Sequence, residues 1–599
     1  MQEYQKQYIE NLKEIEQLSD FYSVERSDYS AWIKTQMDHQ LRIKELKAQN
    51  LRLLSDHLFV TLDALHDATE EEIRELEEFS DALMDWMTNL DSGIYIMIHD
   101  SLLSLYRYKK DRNNIIKELY KLGMGMYYQN RSIEGIRREL CSPFYFRNEM
   151  VFTEASGYLK YFAQIEDSDT KGYIIRSLAN IGITLPRNLK KKIAVANRVI
   201  AITKDDHYRS LAPELPWDVF QRRTYQQLSA CREVLDRGNL TTEELSSVLE
   251  ACHIVFEPEK DNQNPNIRWL WPYYEMEYTC GFADIYTTLD RMEKIIDSVP
   301  YNTYDMSGLY ANVQLAIYYG TMLKRNPNIR NREKHVQFLN HAYEKMMQTM
   351  LTFPAGTLND FLAYNTALVL TDYYECEGVP TFQDITLKLM PHLSGQLYLN
   401  SLKAAELMRY FAEVIYDHDP TFFDDIPFLK TIGDLKEKRH ALSDYAYECG
   451  LYHDFGLIKL NMQRIVNMRG YLDSEYEIYQ LHTSVGHDEL YEHASTRRFA
   501  DICHGHHNFY DGSEGFSKDY IRNQSDYRQM TDLMAVVSYL IDHYDNNLSE
   551  LIKEILIMEH RQFSPLICAY LLDEDVIRGL QKVLDTPEEN YYLQIYESL

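Results

Sequence analysis

Helix breakers are scarce in this chain, with 23 glycines and 16 prolines spread through 599 residues. Long stretches therefore run without a residue that would end a helix. Within them apolar side chains recur at three- and four-residue spacing, the period of an amphipathic helix. The strict alternation of a half-buried strand is nearly absent. Together these patterns predict an all-α fold.

From Met1 to about Met390, helical segments follow one another across short polar breaks at 167–169, 212–216, 261–266 and 326–328. Gly238-Asn239 followed by Thr241-Thr242-Glu243-Glu244 reads as a helix start, a capping box in which Thr241 and Glu244 satisfy each other's backbone. Paired helices with short connections predict an α-solenoid over residues 1–390. Ile115–Tyr127, Leu309–Met322 and His335–Met350 are loosely similar to tetratricopeptide repeats. Stacked helix pairs present a concave face suited to a protein or peptide partner, although such a region can equally serve only to support the C-terminal domain. Ile43, Leu46, Asn50, Leu53, His57 and Val60 follow a heptad that would suit a homodimer, with an ordinary solenoid helix as the alternative.

The formal net charge of −30 excludes non-specific binding to nucleic acid polymers, whose phosphates it repels. The compact basic run Lys190-Lys191-Lys192 reads as a solvated helix end. Eight cysteines without a Cys-x-x-Cys pair give neither a disulfide framework nor a zinc ribbon. The start of the chain lacks the apolar core of a signal peptide, and no apolar stretch reaches the length of about 18 residues that a bilayer requires. The expected location is the reducing cytoplasm, with no membrane span.

Chemistry concentrates between His453 and Gly512. An adjacent His453-Asp454 pair, a lone His482 and an adjacent His506-His507 pair precede Asp511-Gly512. Imidazole and carboxylate together suit Fe, Mn, Zn or Ni, and doublets on separate helices can offer donors to one or two divalent ions. His418-Asp419 and His487-Asp488 repeat the dipeptide, but the first stands at a helix end before Pro420 and the second follows Gly486. Both read as helix-end features. His504 is a candidate for supporting a ligand from behind.

This order of motifs resembles the HD-GYP branch of the HD-domain metal-dependent phosphohydrolases, over the last third of the chain. Leu451-Tyr452-His453-Asp454-Phe455-Gly456 is similar to the His-Asp segment of the family. Leu472 to Tyr476 leading to His482 is similar to its lone-His helix, and Gly505 to Gly512 to its diagnostic His-His…Asp-Gly segment. The resemblance implies a helical domain over 391–599 in which His453, Asp454, His482, His506 and His507 hold one or two divalent ions such as Fe or Mn. Asp454 would act catalytically, and Asp511-Gly512 would belong to the substrate loop. Several family positions are changed. The leading His falls at Asn400, with Gln396 one turn earlier where some members carry Glu. The Lys of the His-Asp-x-Gly-Lys segment is Leu457, with Lys459 two residues on as its substitute. Gly-Tyr-Pro reads Gly515-Phe516-Ser517, and the late Asp falls at Ser538 with Asp542 one turn further. Asn400, Gln396, Ser538 and Asp542 are thus weak or substitute ligands.

The activity implied is hydrolysis of cyclic di-GMP to linear pGpG or GMP, regulated through the N-terminal helices. The competing expectation is a pseudo-enzyme that keeps the fold and works as a signalling interaction scaffold. A third, a helical regulatory protein that binds a signalling peptide, lacks any basic helix-turn-helix that would take it to DNA.

Overall fold

A computed structural model gives the fold and describes residues 1–19, 28–84, 91–130, 147–184, 188–231, 240–353, 359–393, 395–460 and 468–598. Among these residues helices are the only extended regular structure, and the sole β feature is an isolated bridge between Glu559 and Phe563. The protein is all-α. No helix of the described residues is long and apolar enough to cross a membrane. Contacts divide the chain into two units. One gathers Met1–Lys13, Gln49–Gly135 and Ser142–Phe353; the other gathers Glu14–Ala48, Ile136–Cys141 and Pro354–Leu599.

In the first unit successive helices pack each on the next, as Ser92–Lys109, Arg112–Asn130, Arg147–Gly157 and Ser168–Ile181 do. Phe152, Phe162, Ile174 and Trp217 are buried in one of its cores. A side-chain cap starts helix Thr242–Lys260 where the sequence places it. Thr241 Oγ1 accepts from Glu244 N at 3.2 Å while Glu244 Oε2 accepts from Thr241 N at 2.8 Å. The preceding Gly238 and Asn239 lie outside the described residues. The segment 309–322 is not one continuous α-helix, because Tyr310–Gln314 forms a π-helical turn before Leu315–Arg325. The heptad seam is interrupted in the same way. Helix Tyr29–Leu53 gives way to a π-helical turn at Leu54–Leu58, and Val60 ends 58% exposed. Asn50 is buried and accepts from Asn11 Nδ2 at 2.8 Å, so its polar group is matched within the chain.

The second unit is built on two long helices, α1 (Gly395–His418) and α2 (Leu435–Tyr452). They cross at Gly450, where an added Cβ would meet the Ala405 backbone at 2.4 Å. Asp434 caps α2 by accepting from Glu437 N at 2.8 Å. The short α3 (Gly456–Leu460) then lies against α5 (His482–Glu492), so closely that a Cβ on Gly456 would stand 2.0 Å from the His482 carbonyl oxygen. Between them α4 (Asp473–Gln480) begins beneath a buried pair in which both Arg469 Nη atoms reach the Glu475 carboxylate at 2.8 Å. Next come α6 (Ala500–Gly505) and α7 (Arg528–His543). At the end of α1, His418 Nδ1 donates to the Val414 carbonyl at 2.8 Å and Asp419 opens a turn by accepting from Thr421 N at 2.9 Å. His487 and Asp488 do not form a helix end: Gly486 continues the helix and both residues lie inside α5.

Candidate metal centre

Three segments deliver the histidines. His453 is the residue that caps the C-terminus of α2, His482 is the first residue of α5, and His506 and His507 follow α6. One device orients three of the rings. Nδ1 of His453 lies 2.8 Å from the Gly450 carbonyl, Nδ1 of His482 2.7 Å from Tyr479, and Nδ1 of His506 2.9 Å from Cys503. A carbonyl only accepts, so each Nδ1 must carry the proton and donate it. In a neutral ring the lone pair is then on Nε2, the tautomer that a metal ligand needs.

Those Nε2 atoms meet at Asp454. His482 Nε2 is 3.2 Å and His506 Nε2 3.4 Å from Oδ1, while His453 Nε2 is 3.4 Å from Oδ2. The two Nε2 atoms of His482 and His506 are themselves 3.4 Å apart. Ligand atoms of Asp454, His482, His506 and His507 all fall within 4.8 Å of one another, a group able to hold a metal ion. His453 stands outside that foursome, on the other oxygen of the same carboxylate. Asp454 therefore offers one oxygen to His482 and His506 and the other to His453.

The electrostatics match this geometry. Burial lowers the imidazoles of His453, His506 and His507, keeping them neutral. Burial also opposes ionisation of Asp454, and only a positive charge or a shared proton among the imidazoles of His453, His482 and His506 outweighs it and holds the carboxyl below its usual range. With the protons of His453, His482 and His506 committed to backbone carbonyls through Nδ1, that positive charge has to come from elsewhere. Asp454 Oδ1 is buried and has no hydrogen bond of acceptable geometry despite the two nitrogens nearby. Acceptors facing acceptors in a buried place cost free energy unless a cation or proton lies between them. A divalent ion fits that place by donor type, protonation state and charge.

The remaining residues of interest sort by position. Ser538 and Asp542 on α7 line a cavity of about 450 Å³ together with His506 and His507. Asp542 is exposed on the cavity side and surrounded by protein atoms elsewhere. This burial, together with the Asp454 carboxylate, raises its carboxyl to about 6. Gln396 and Asn400 lie in the first turns of α1, and Gln396 Oε1 is a buried acceptor without a donor. Lys459 forms a close, nearly buried ion pair with Glu489 of α5. Asp511 and Gly512 form an exposed turn in which Asp511 accepts from Ser513 N at 2.8 Å, and neither lines the cavity. Phe516 of the same loop does, at 4.4 Å from the His507 ring. Ser517 pins the loop by donating its N–H to Asn508 Oδ1 at 3.0 Å and pairing with Thr483 Oγ1 at 2.7 Å. His504 lies 3.1 Å from Asp519 and its ring is tilted against that of His487 at 4.3 Å, partners that are not among the centre's ligands. The cavity's tyrosines are absent from the candidates that sequence reasoning singles out. Their signal is Tyr476 and Tyr479 at i,i+3 spacing just before His482, which puts the two rings on one face of α4.

Comparison with family models, with curated proteins and with solved structures gave no match for this chain.

Proposed function

We propose that the second unit carries a metal-dependent phosphohydrolase of the HD-GYP type, its substrate a cyclic dinucleotide such as cyclic di-GMP. The observation that carries this reading is the buried Asp454 Oδ1, unsatisfied, with imidazole nitrogens at 3.2 and 3.4 Å whose protons are committed elsewhere. His482, His506, His507 and Asp454 hold one ion. His453 and the other oxygen of Asp454, with Asp542 nearby, are the place for a second. A divalent ion bound there acidifies water and neutralises charge on a phosphate. The chain's own residues orient and exclude. The three carbonyl-bound Nδ1 atoms fix the rings before an ion arrives, and burial keeps bulk water from competing for Nε2. In the metal-free protein Asp542, raised to about 6, can hold or give up a proton at the cavity wall.

Those helices of 1–390 that belong to the first unit act in this reading as the interaction region for a protein or peptide partner. The test is turnover of cyclic di-GMP by the full chain loaded with Mn²⁺ or Fe²⁺, followed as linear product. Activity that disappears in His507→Ala supports the hydrolase. The Lys459–Glu489 pair favours a second reading, because it occupies the cation that would substitute for the family's lysine. In that reading the centre binds metal without turnover and the protein is a scaffold. A metal-loaded protein inert toward cyclic di-GMP supports it.

A further inference from the structure

The cavity beside the cation centre is walled largely by aromatic rings. Tyr471, Tyr476 and Tyr479 line it, with Tyr476 stacked near Tyr479 at 5.7 Å and Tyr471 at 5.1 Å from Tyr479. Phe516 stands edge-on to Tyr476 and Tyr479, at 6.2 Å from each. A second group lines the same cavity: Tyr539 has Phe563 edge-on at 5.2 Å and His543 stacked at 4.0 Å. Tyr476 and Tyr479 are one turn apart on α4, and the helix ends at Gln480 so that His482 opens α5 directly behind them, with Phe516 6.0 Å from the His482 ring. Tyr479 and His482 are themselves 4.9 Å apart, ring to ring.

Core aromatics close on one another and leave no room. Here about 450 Å³ stays free, and Tyr476 is 45% exposed. Ligand pockets run from about 300 to 1,000 Å³, so this one has room for a single base with its sugar and phosphate. A purely apolar ligand is disfavoured, because His506, His507 and Asp542 form part of the same lining. Rings and metal ligands on one wall fit a molecule that is planar and aromatic at one end and anionic at the other.

We propose that the cavity is a one-base subsite. It takes one planar base against the tyrosine rings, with the attached phosphate at the Asp454–His482–His506–His507 group, and any second nucleotide lies outside. The proposal rests on the reading of that group as a cation site and deepens it by naming the part of the substrate that is gripped. Stacking suits the task because every base has a π face, and one such side chain changes affinity by roughly five- to hundredfold on alanine substitution.

The experiment is calorimetric titration of the full chain, with and without Mn²⁺, with GMP, ribose 5-phosphate and a non-hydrolysable cyclic di-GMP analogue. In Mn²⁺, GMP is expected to bind at least about tenfold tighter than ribose 5-phosphate. The cyclic dinucleotide is expected within about threefold of GMP, since only one base is held. Tyr476→Leu and Tyr539→Leu should shrink the GMP preference, while Tyr476→Phe and Tyr539→Phe should keep it, which separates stacking from general damage to the fold. Equal affinity for GMP and ribose 5-phosphate overturns the subsite, and so does a cyclic dinucleotide bound more than about tenfold tighter than GMP. A GMP preference that persists without any dependence on Mn²⁺ instead overturns the cation reading and leaves the aromatic subsite standing.

Discussion

Replacing Asp454 with asparagine separates the cost of the centre from its purpose, because the amide has the shape of the carboxylate without its charge. In the metal-free protein, Oδ1 faces Nε2 of His482 at 3.2 Å and of His506 at 3.4 Å, acceptor against acceptor. An amide nitrogen placed there donates to one of those lone pairs. It thereby makes a hydrogen bond worth about 1 kcal/mol and relieves a buried charge. Asp454→Asn is therefore expected to match or exceed the wild type in metal-free stability, by about 2–4 °C in Tm for a unit of this size. Metal reverses the order. If Mn²⁺ is supplied at about 100 times its Kd, the wild type gains about 2.7 kcal/mol, or roughly 5–10 °C. Loss of the only carboxylate in the foursome should weaken binding at least about 100-fold, the upper end of what indirect perturbation of metal ligands causes. At the same Mn²⁺ concentration the variant then gains only about 0.4 kcal/mol. Differential scanning calorimetry of both proteins, with chelator and with Mn²⁺, reads all four quantities. A variant that is less stable without metal yet keeps the wild-type Mn²⁺ shift would refute this reasoning.

Asp542→Asn tests the cavity wall. Its carboxyl is raised by burial first and by Asp454 second, so the folded protein binds a proton more tightly than the unfolded chain. Stability is then full below the ordinary carboxylate range and falls as pH rises toward about 6. Metal-free wild type should lose stability relative to Asp542→Asn across that window, and parallel pH profiles would contradict the placement. Gly456→Ala drives a methyl into the His482 carbonyl oxygen. It should destabilise by about 1–3 kcal/mol or more and also cut the Mn²⁺-induced Tm shift; a shift that stays intact would show that the α3–α5 contact does not position His482. Lys459→Met leaves Glu489 charged and nearly buried without its partner, and should cost about 3–5 kcal/mol. Its Mn²⁺ affinity should stay within about threefold, and a large loss would return Lys459 to the centre.

Much of the helical character was legible because it rests on local rules. The Thr241–Glu244 box starts a helix where the residues say it should, and scarce breakers give helices throughout the described residues. The order of His453, Asp454, His482, His506 and His507 suggests one centre; the structure brings ligand atoms of Asp454, His482, His506 and His507 within 4.8 Å of one another and leaves His453 outside that foursome. What escaped the sequence depends on contacts between distant residues. Nothing local to Lys459 shows that Glu489, a full helix later, claims its charge. Nothing near Trp32 announces Tyr596, whose ring lies 5.5 Å away within the second unit. Gly486 looked like a helix end because glycine often is one, but α5 runs through it. There an added Cβ would meet Cys503 Sγ at 2.3 Å, so close packing accounts for the glycine. The carbonyl bonds that fix the histidine tautomers follow from each ring folding back three residues, a geometry that needs coordinates to be seen.

The central claim is that a cation belongs between Asp454 and the three imidazoles. Anomalous diffraction from crystals of the full chain soaked in Mn²⁺ examines it directly. The account predicts a peak about 2.0–2.3 Å from Asp454 Oδ1 and from ring nitrogens of His482, His506 and His507, with a clearly weaker peak in Asp454→Asn at the same Mn²⁺ concentration. A wild-type crystal saturated with Mn²⁺ that shows no density there, or shows it only among surface carboxylates, would contradict the account.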